Sequence, residues 1–107
     1  MGVTASSDDC FLGLRGLRTL GLRLAHQQAS GLRIAQWLRE RPEVKEVLHP
    51  GLPGARGHEL WKRDFTGASA LFGVILHPVS PERIAAMLDG FELFSMGFSW
   101  GGFESLV

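Results

Sequence analysis

The chain has 107 residues with 11 basic and 11 acidic side chains, and its hydrophobic fraction of 45% is typical of a globular domain. Its length supports one small domain, and its formal net charge of zero argues against the positive field with which proteins bind nucleic acids or anionic membranes. Cys10 is the only cysteine and no apolar run has the length of a membrane helix, so we expect a cytoplasmic protein without an internal disulfide.

The first part of the chain predicts two helices. Side-chain oxygens at positions 6–9 can cap a helix that includes Cys10, and Gly13 and Gly16 predict that this helix is interrupted and short. A long amphipathic helix follows from about Thr19 to Arg41, before Pro42. Its predicted apolar stripe, in which Gln27 and Gln28 are the only gap, consists of Leu17, Leu20, Leu24, Gly31, Ile34 and Leu38. Of these we expect Leu20, Leu24, Ile34 and Leu38 to be buried against the sheet.

The second part of the chain predicts alternating strands and helices. The predicted elements are a strand at Val44–Leu48, a turn at Pro50–Gly54, one or two helical turns within His58–Phe65, a buried strand at Ala68–His77, a helix starting at Ser80 and Pro81, and a strand at Phe91–Phe98. This order predicts a two-layer α/β (α+β) fold with a mostly antiparallel sheet and helices on one face.

The segment with the clearest functional pattern is residues 98–105, FSWGGFES. Adjacent glycines let a ligand approach the main chain closely, and a serine hydroxyl next to free backbone amides can hold a carboxylate or a phosphate. The spacing alone is explained equally well by a plain turn with Trp100 in the core. No metal site is predicted at His49, His58, Glu59 and Asp64, because their spacing is not that of the helical histidine pair of zinc proteases.

Three stretches of the sequence are similar to one enzyme family. Residues 99–106, SWGGFESL, closely resemble the signature near the end of the cysteine/methionine-metabolism family of pyridoxal-phosphate enzymes. Trp100 stands where most members carry leucine and resembles the cystathionine β-lyase branch. Residues 15–20, RGLRTL, look like the family's turn into its long helix, and residues 57–67, GHELWKRDFTG, are similar to the bacterial β-lyase segment before the first strand of the small domain.

The resemblance, which extends from about Asp9 to Val107, implies a fold and an activity. Residues 1–107 would be one partial domain of an aspartate-aminotransferase-like (fold type I) enzyme: the end of a linking helical region to about residue 41, then most of the small carboxyl-terminal domain from about residue 42. The full enzyme, a homo-oligomer, would use pyridoxal phosphate for β-elimination of cystathionine to homocysteine, pyruvate and ammonia in transsulfuration and methionine biosynthesis. The alternatives are a segment of a cystathionine γ-lyase, γ-synthase or methionine γ-lyase, or a non-enzymatic interaction module with the same fold.

The resemblance also implies which residues meet the small amino-acid substrate. Ser99 and the main chain at Trp100 would bind its α-carboxylate, and Phe98 and Trp100 would line the pocket beside its side chain. The family's cofactor lysine lies in an upstream motif that neither Lys45 nor Lys62 matches. No catalytic, cofactor-binding or metal-binding residue is therefore predicted in this chain, and we expect it to be inactive alone.

Overall fold

A computed structural model of the chain describes residues 2–98 and 102–107, which form two compact units, one ending at Leu76 and the other beginning at His77. The first unit contains α1 (Ser7–Leu17), α2 (Leu20–Arg39), β1 (Val44–Leu48), α3 (His58–Asp64) and β2 (Gly73–Leu76), and the second contains α4 (Pro81–Asp89). The chain is thus a small α/β protein, whose described residues form one two-stranded antiparallel sheet. None of these helices combines the length and the apolar composition needed to cross a bilayer.

The first helix, α1, continues through both glycines, so the predicted interruption at Gly13 and Gly16 is wrong. Its start is fixed by a capping box, in which Ser6 Oγ accepts from the Asp9 N–H at 3.1 Å and the Asp9 carboxylate accepts from the Ser6 N–H at 3.2 Å. Near its end, Arg23 Nη2 donates to the Gly16 carbonyl at 2.7 Å. Both ends therefore have partners for otherwise unpaired backbone groups, which offsets the low helix propensity of glycine.

The long helix α2 packs against β1 through part of the predicted face, namely the part that contains Gly31 and Leu38. Its buried residues are Gly31 and Ala35, whereas Leu20, Leu24 and Ile34, which were expected to be buried, are exposed. A Cβ on Gly31 would lie 3.0 Å from the Ala70 Cα. The absence of a side chain at Gly31 thus lets a distant part of the chain approach the helix closely.

The core of the first unit consists of a few apolar side chains. Ala35, Val47 and Leu52 are buried, and the partly buried side chains around them are Leu32, Leu38, Val44, Ala55 and Phe72. Leu52 lies in the turn after β1, within the stretch for which the sequence predicts a turn. The Leu52 N–H closes this turn by donating to the His49 carbonyl at 3.1 Å. One cluster therefore holds α2, β1 and this turn together.

The second strand, β2, is shorter than predicted, since only Gly73–Leu76 of the predicted strand joins the sheet. The Ala68 N–H donates to Gln28 Oε1 at 2.6 Å, and the Leu71 N–H donates to Ser69 Oγ at 3.3 Å. Because side chains satisfy these two amides, this stretch does not continue the ladder toward its amino-terminal end.

In the second unit, the predicted helix is confirmed and the predicted strand is wrong. Ser80 is the N-cap of α4 and Pro81 is its first residue, as the sequence predicts. Within Phe91–Phe98, Ser95 alone makes a bridge, and its partner is Leu106 in parallel orientation. Backbone pairing at one position does not form a strand, because a strand needs a hydrogen-bonded neighbour along its length.

Candidate functional site

Main-chain hydrogen bonds join the stretches on either side of the predicted substrate-binding residues. The Ser95 N–H donates to the Ser105 carbonyl at 3.0 Å, and the Val107 N–H donates to the Ser95 carbonyl at 3.0 Å. A Cβ on Gly97 would lie 3.0 Å from Leu106 Cδ1, so glycine at this position lets the backbone pack tightly on Leu106. Main-chain hydrogen bonds therefore hold both ends of residues 96–105.

Phe98 and Phe103 are the described aromatic residues nearest to positions 99–101. Phe98 and Phe103 are fully exposed, which excludes core packing as the role of Phe98 here and leaves its ring free to face a ligand. Ser99 and Trp100, the other two predicted site residues, lie outside the described residues. Their contact with a substrate carboxylate therefore stays a prediction, as does the position of Phe98 in a substrate pocket.

Two cavities of the first unit share the segment 65–69 as a wall. The cavity bordered by α3 has a volume of about 450 Å³, and the cavity bordered by α2 has a volume of about 570 Å³. From α3, Trp61 Nε1 donates to the Gly67 carbonyl at 3.1 Å. From α2, Gln28 accepts from the neighbouring Ala68 amide. These two hydrogen bonds fix the wall between the helices.

His49 borders the α3 cavity and is only 1% exposed. Its Nδ1 accepts from the Gly51 N–H at 3.0 Å, so the neutral ring carries its proton on Nε2, which has no partner among the described residues. Its ring centroid lies 5.7 Å from that of Phe72. Burial lowers the pKa of His49 from its ordinary 6.5, because the imidazolium ion would lose its hydration, and a backbone hydrogen bond opposes this only in part.

We expect the stability of the chain to fall below about pH 6.5 because of His49. The unfolded chain, with an ordinary histidine pKa, binds a proton that the folded chain does not accept, so unfolding is favoured as the pH decreases through 6.5. Above this pH both states are neutral at His49 and the effect disappears. Urea unfolding between pH 5 and 8 measures the dependence.

The control for this titration is His49→Asn, whose side-chain oxygen can accept from the Gly51 N–H without titrating. The variant should show a smaller loss of stability between pH 7 and pH 5 than the wild type, because it lacks the buried imidazole of His49. Equal slopes for the two proteins would contradict the assignment of the pH effect to His49.

The other polar side chains near this cavity are engaged within the protein. His58 Nδ1 is hydrogen-bonded to the Pro50 carbonyl at 2.8 Å. Arg63 binds the Asp64 carboxylate through Nε at 2.7 Å and Nη2 at 2.9 Å, which lowers the pKa of Asp64. Within residues 2–98 and 102–107, no three histidine, cysteine, aspartate or glutamate side chains are grouped as a metal site would require.

The two lysines of the chain do not border either cavity. Lys45 lies on β1 and Lys62 lies on α3, and both are exposed. A cofactor lysine needs an enclosed pocket that orients the cofactor and tunes the amine. Neither of these two cavities therefore contains a lysine that could attach a cofactor.

We expect this chain alone to form no specific covalent adduct with pyridoxal phosphate. The exposed ammonium groups of Lys45 and Lys62 have no pocket to bind the cofactor. Borohydride trapping followed by peptide mass spectrometry should show only weak labelling at high cofactor concentration. A stoichiometric adduct at either lysine, with its visible absorbance band, would contradict this expectation, and Lys45→Arg and Lys62→Arg variants would identify the residue.

Sequence reasoning missed two polar side chains that organise the first unit. Gln28 appears in the sequence only as a gap in an apolar stripe, yet it binds the chain before β2. A polar residue at a position where the period calls for an apolar one is the signal that could have identified it. Arg23 binds the Gly16 carbonyl and the Thr19 hydroxyl between α1 and α2.

The sequence matches the family described as Cys/Met metabolism PLP-dependent enzyme over residues 1–107. It is 52% identical over 108 aligned residues to the cystathionine beta-lyase of Escherichia coli strain K12, covering 100% of this chain and 27% of that relative. A crystal structure of cystathionine gamma synthase from Xanthomonas oryzae pv. oryzae superposes with a TM-score of 0.88 at 39% identity, covering 98% of this chain and 27% of that one. The chain thus spans about a quarter of the length of these relatives.

A relative with another named reaction also aligns along the chain. The L-alanine/L-glutamate racemase of Wolbachia pipientis wMel is 44% identical over 107 residues, covering 99% of this chain and 27% of that relative. A lyase, a synthase and a racemase are therefore all similar to nearly the whole chain. Similarity in this region shows the family and its cofactor, pyridoxal phosphate, and does not by itself select the reaction.

Proposed function

Because the chain belongs to the cysteine/methionine-metabolism family of pyridoxal-phosphate-dependent enzymes, we propose that it is a segment of a carbon–sulfur lyase that catalyses β-elimination of cystathionine. The proposal rests on its 52% identity, along the whole chain, to the cystathionine beta-lyase of E. coli. In this reaction the Cα–H and Cβ–S bonds break, homocysteine leaves with the sulfur, and water converts the three-carbon remainder to pyruvate and ammonia. The enzyme would act in transsulfuration and methionine biosynthesis in the cytoplasm.

The segment would bind and orient the substrate, and it would break no bond. Neither Lys45 nor Lys62 borders the two cavities, which supports a cofactor lysine in another part of a longer polypeptide. The group that moves the α-proton would lie there as well. Residues to about 41 would belong to a linking helical region, and residues from about 42 to a carboxyl-terminal small domain. The full enzyme would be a homo-oligomer.

The loop at residues 96–105 would provide the substrate contacts. The Ser99 hydroxyl and the main-chain amide of Trp100 would donate to the α-carboxylate, and hydrogen bonds to a charged group are stronger than those between neutral groups. Phe98 and Trp100 would wall the pocket beside the substrate side chain. The hydrogen bonds at the loop base support this role, because a loop held at both ends loses less conformational entropy when it binds a ligand.

The test is to express the complete polypeptide that contains this chain and to incubate it with pyridoxal phosphate and cystathionine. Mass spectrometry should detect homocysteine and pyruvate in equal amounts, together with ammonia. Cysteine and α-ketobutyrate would instead indicate a γ-lyase, and conversion of L-alanine to D-alanine without C–S cleavage would indicate a racemase. A reading frame that contains only this chain would favour a non-enzymatic interaction module.

A further inference from the structure

The Leu106 side chain packs on the backbone that leads into the predicted substrate-binding residues. A Cβ on Gly97 would lie 3.0 Å from Leu106 Cδ1 and 3.1 Å from Leu106 Cδ2, so both methyl groups lie close to the Gly97 backbone. Within the described residues 91–98 and 102–107, Leu106 is the only one that is not exposed. Its partly buried side chain therefore makes an internal contact in a stretch whose other described residues face solvent.

The main chain around Leu106 is held next to Ser95. The two residues form a parallel bridge, in which Ser95 bonds to the Ser105 carbonyl and to the Val107 N–H, each at 3.0 Å. Backbone pairing at one position does not fix the direction in which the chain continues, because a strand needs a hydrogen-bonded neighbour along its length. The contact between Leu106 and Gly97 adds a second fixed point, two residues beyond Ser95.

We propose that Leu106 is a positioning residue, whose side chain sets the course of the backbone from Ser95 to Phe98 and so places the substrate-binding residues that follow. This inference rests on the proposed function, in which residues 98–100 meet the substrate. Leu106 acts through the Gly97 backbone and does not itself contact the substrate. A hydrogen bond to a carboxylate depends on distance and angle. A shift of this backbone therefore weakens substrate binding and leaves the attachment of the cofactor unchanged.

The experiment measures steady-state kinetics of Leu106→Ala in the complete polypeptide with pyridoxal phosphate bound. The KM for cystathionine should rise at least about fivefold while kcat stays within about twofold of wild type. The two constants separate because the α-carboxylate does not react, so weaker binding affects the ground state and the transition state alike. The absorbance of the cofactor should stay unchanged. A KM within about twofold of wild type would overturn the proposal.

Leu88→Ala is the matched control, because Leu88 is also a partly buried leucine of the second unit and loses the same atoms. It lies on α4, outside the bridged stretch 95–107. Its melting temperature should fall as in Leu106→Ala, whereas its KM should stay within about twofold of wild type. Equal rises in KM for the two variants would show that both leucines only stabilise the unit, which contradicts a positioning role.

A rescue variant separates the shape of the Leu106 side chain from a general loss of stability. Methionine has a volume similar to that of leucine and can fill the space against Gly97, so Leu106→Met should keep KM within about twofold of wild type. A KM as high as that of Leu106→Ala would contradict the proposal. If Leu106→Ala does not fold, Leu106→Val replaces it, and its KM should rise at least about threefold; a KM within about twofold of wild type would overturn the proposal.

The same variants separate this inference from the proposed function. A wild-type polypeptide that cleaves cystathionine, with an unchanged KM in Leu106→Ala, would support the reaction and contradict positioning by Leu106. A polypeptide that racemises alanine would contradict the proposed reaction, and a raised KM for L-alanine in Leu106→Ala would then support positioning. A polypeptide that converts neither amino acid would contradict both.

Discussion

Replacing Leu52 with alanine should lower the free energy of unfolding of this chain by about 2–5 kcal/mol. Leu52 is 2% exposed and packs with Ala35 and Val47, which come from α2 and β1. The loss combines the transfer free energy of the deleted methyl and methylene groups with the cost of the cavity that remains. Few other side chains are available to fill that cavity, because the core of the first unit is small. Urea unfolding followed by circular dichroism measures the difference.

The matched control is Leu24→Ala, which deletes the same atoms from a side chain that is 39% exposed on α2. Its cost should be below about 1 kcal/mol, since a partly exposed leucine loses less burial and leaves no closed cavity. The comparison also tests how far the buried face of α2 extends toward the amino-terminal end of the helix. Similar losses at both positions would mean that Leu24 is packed, as the sequence predicts.

The elements with strong local signals could be predicted from the sequence. The strand Val44–Leu48 has the predicted bounds, and α4 begins at the predicted serine and proline. Alternation of side chains and a capping residue act within a few positions, so they are present in the sequence itself.

Only part of the buried face of α2 could be predicted, because its packing depends on contacts between residues far apart in the chain. The predicted stripe included Gly31, which Ala70 approaches closely, and Leu38, but it overestimated the burial of Leu20, Leu24 and Ile34. The short β2 has a similar cause, since Gln28, forty residues earlier, binds the Ala68 amide. A pattern of apolar residues does not indicate which distant residue packs on Gly31, or that the Gln28 side chain binds a distant amide.

A motif in the sequence predicts the candidate site. The backbone pairing next to that motif could not be predicted from the sequence. The serine, tryptophan and glycines of residues 99–102 point to an anion-binding turn by residue type. The backbone bridge between Ser95 and Leu106 uses main-chain groups, which every sequence offers, so no residue type marks it. The predicted strand Phe91–Phe98 was wrong for the same reason: its apolar residues indicated extended structure without indicating a partner.

In the complete enzyme, replacing Ser99 with alanine should reduce kcat/KM for cystathionine by about ten- to hundredfold, while the cofactor absorbance stays unchanged. The change removes one hydrogen bond to a charged carboxylate, which contributes roughly 1.5–3 kcal/mol. The substitution would weaken the binding and orientation of the substrate. It would leave the attachment of the cofactor unchanged, because Ser99 is proposed to contact the substrate and not the cofactor. Trp100→Leu, which restores the residue of most family members, should likewise impair β-elimination more than folding.

Ser95→Ala is the matched control for Ser99→Ala, because Ser95 holds the loop base through its main-chain N–H and carbonyl, which the substitution retains. It should leave kcat/KM within about twofold of wild type. Steady-state kinetics, cofactor absorbance and a melting curve for all three variants separate substrate binding from folding. A Ser99→Ala enzyme whose kcat/KM stays within about twofold of wild type would show that this loop does not bind the substrate carboxylate. Equal losses in Ser95→Ala and Ser99→Ala, each with a lowered melting temperature, would show that both serines stabilise the loop instead.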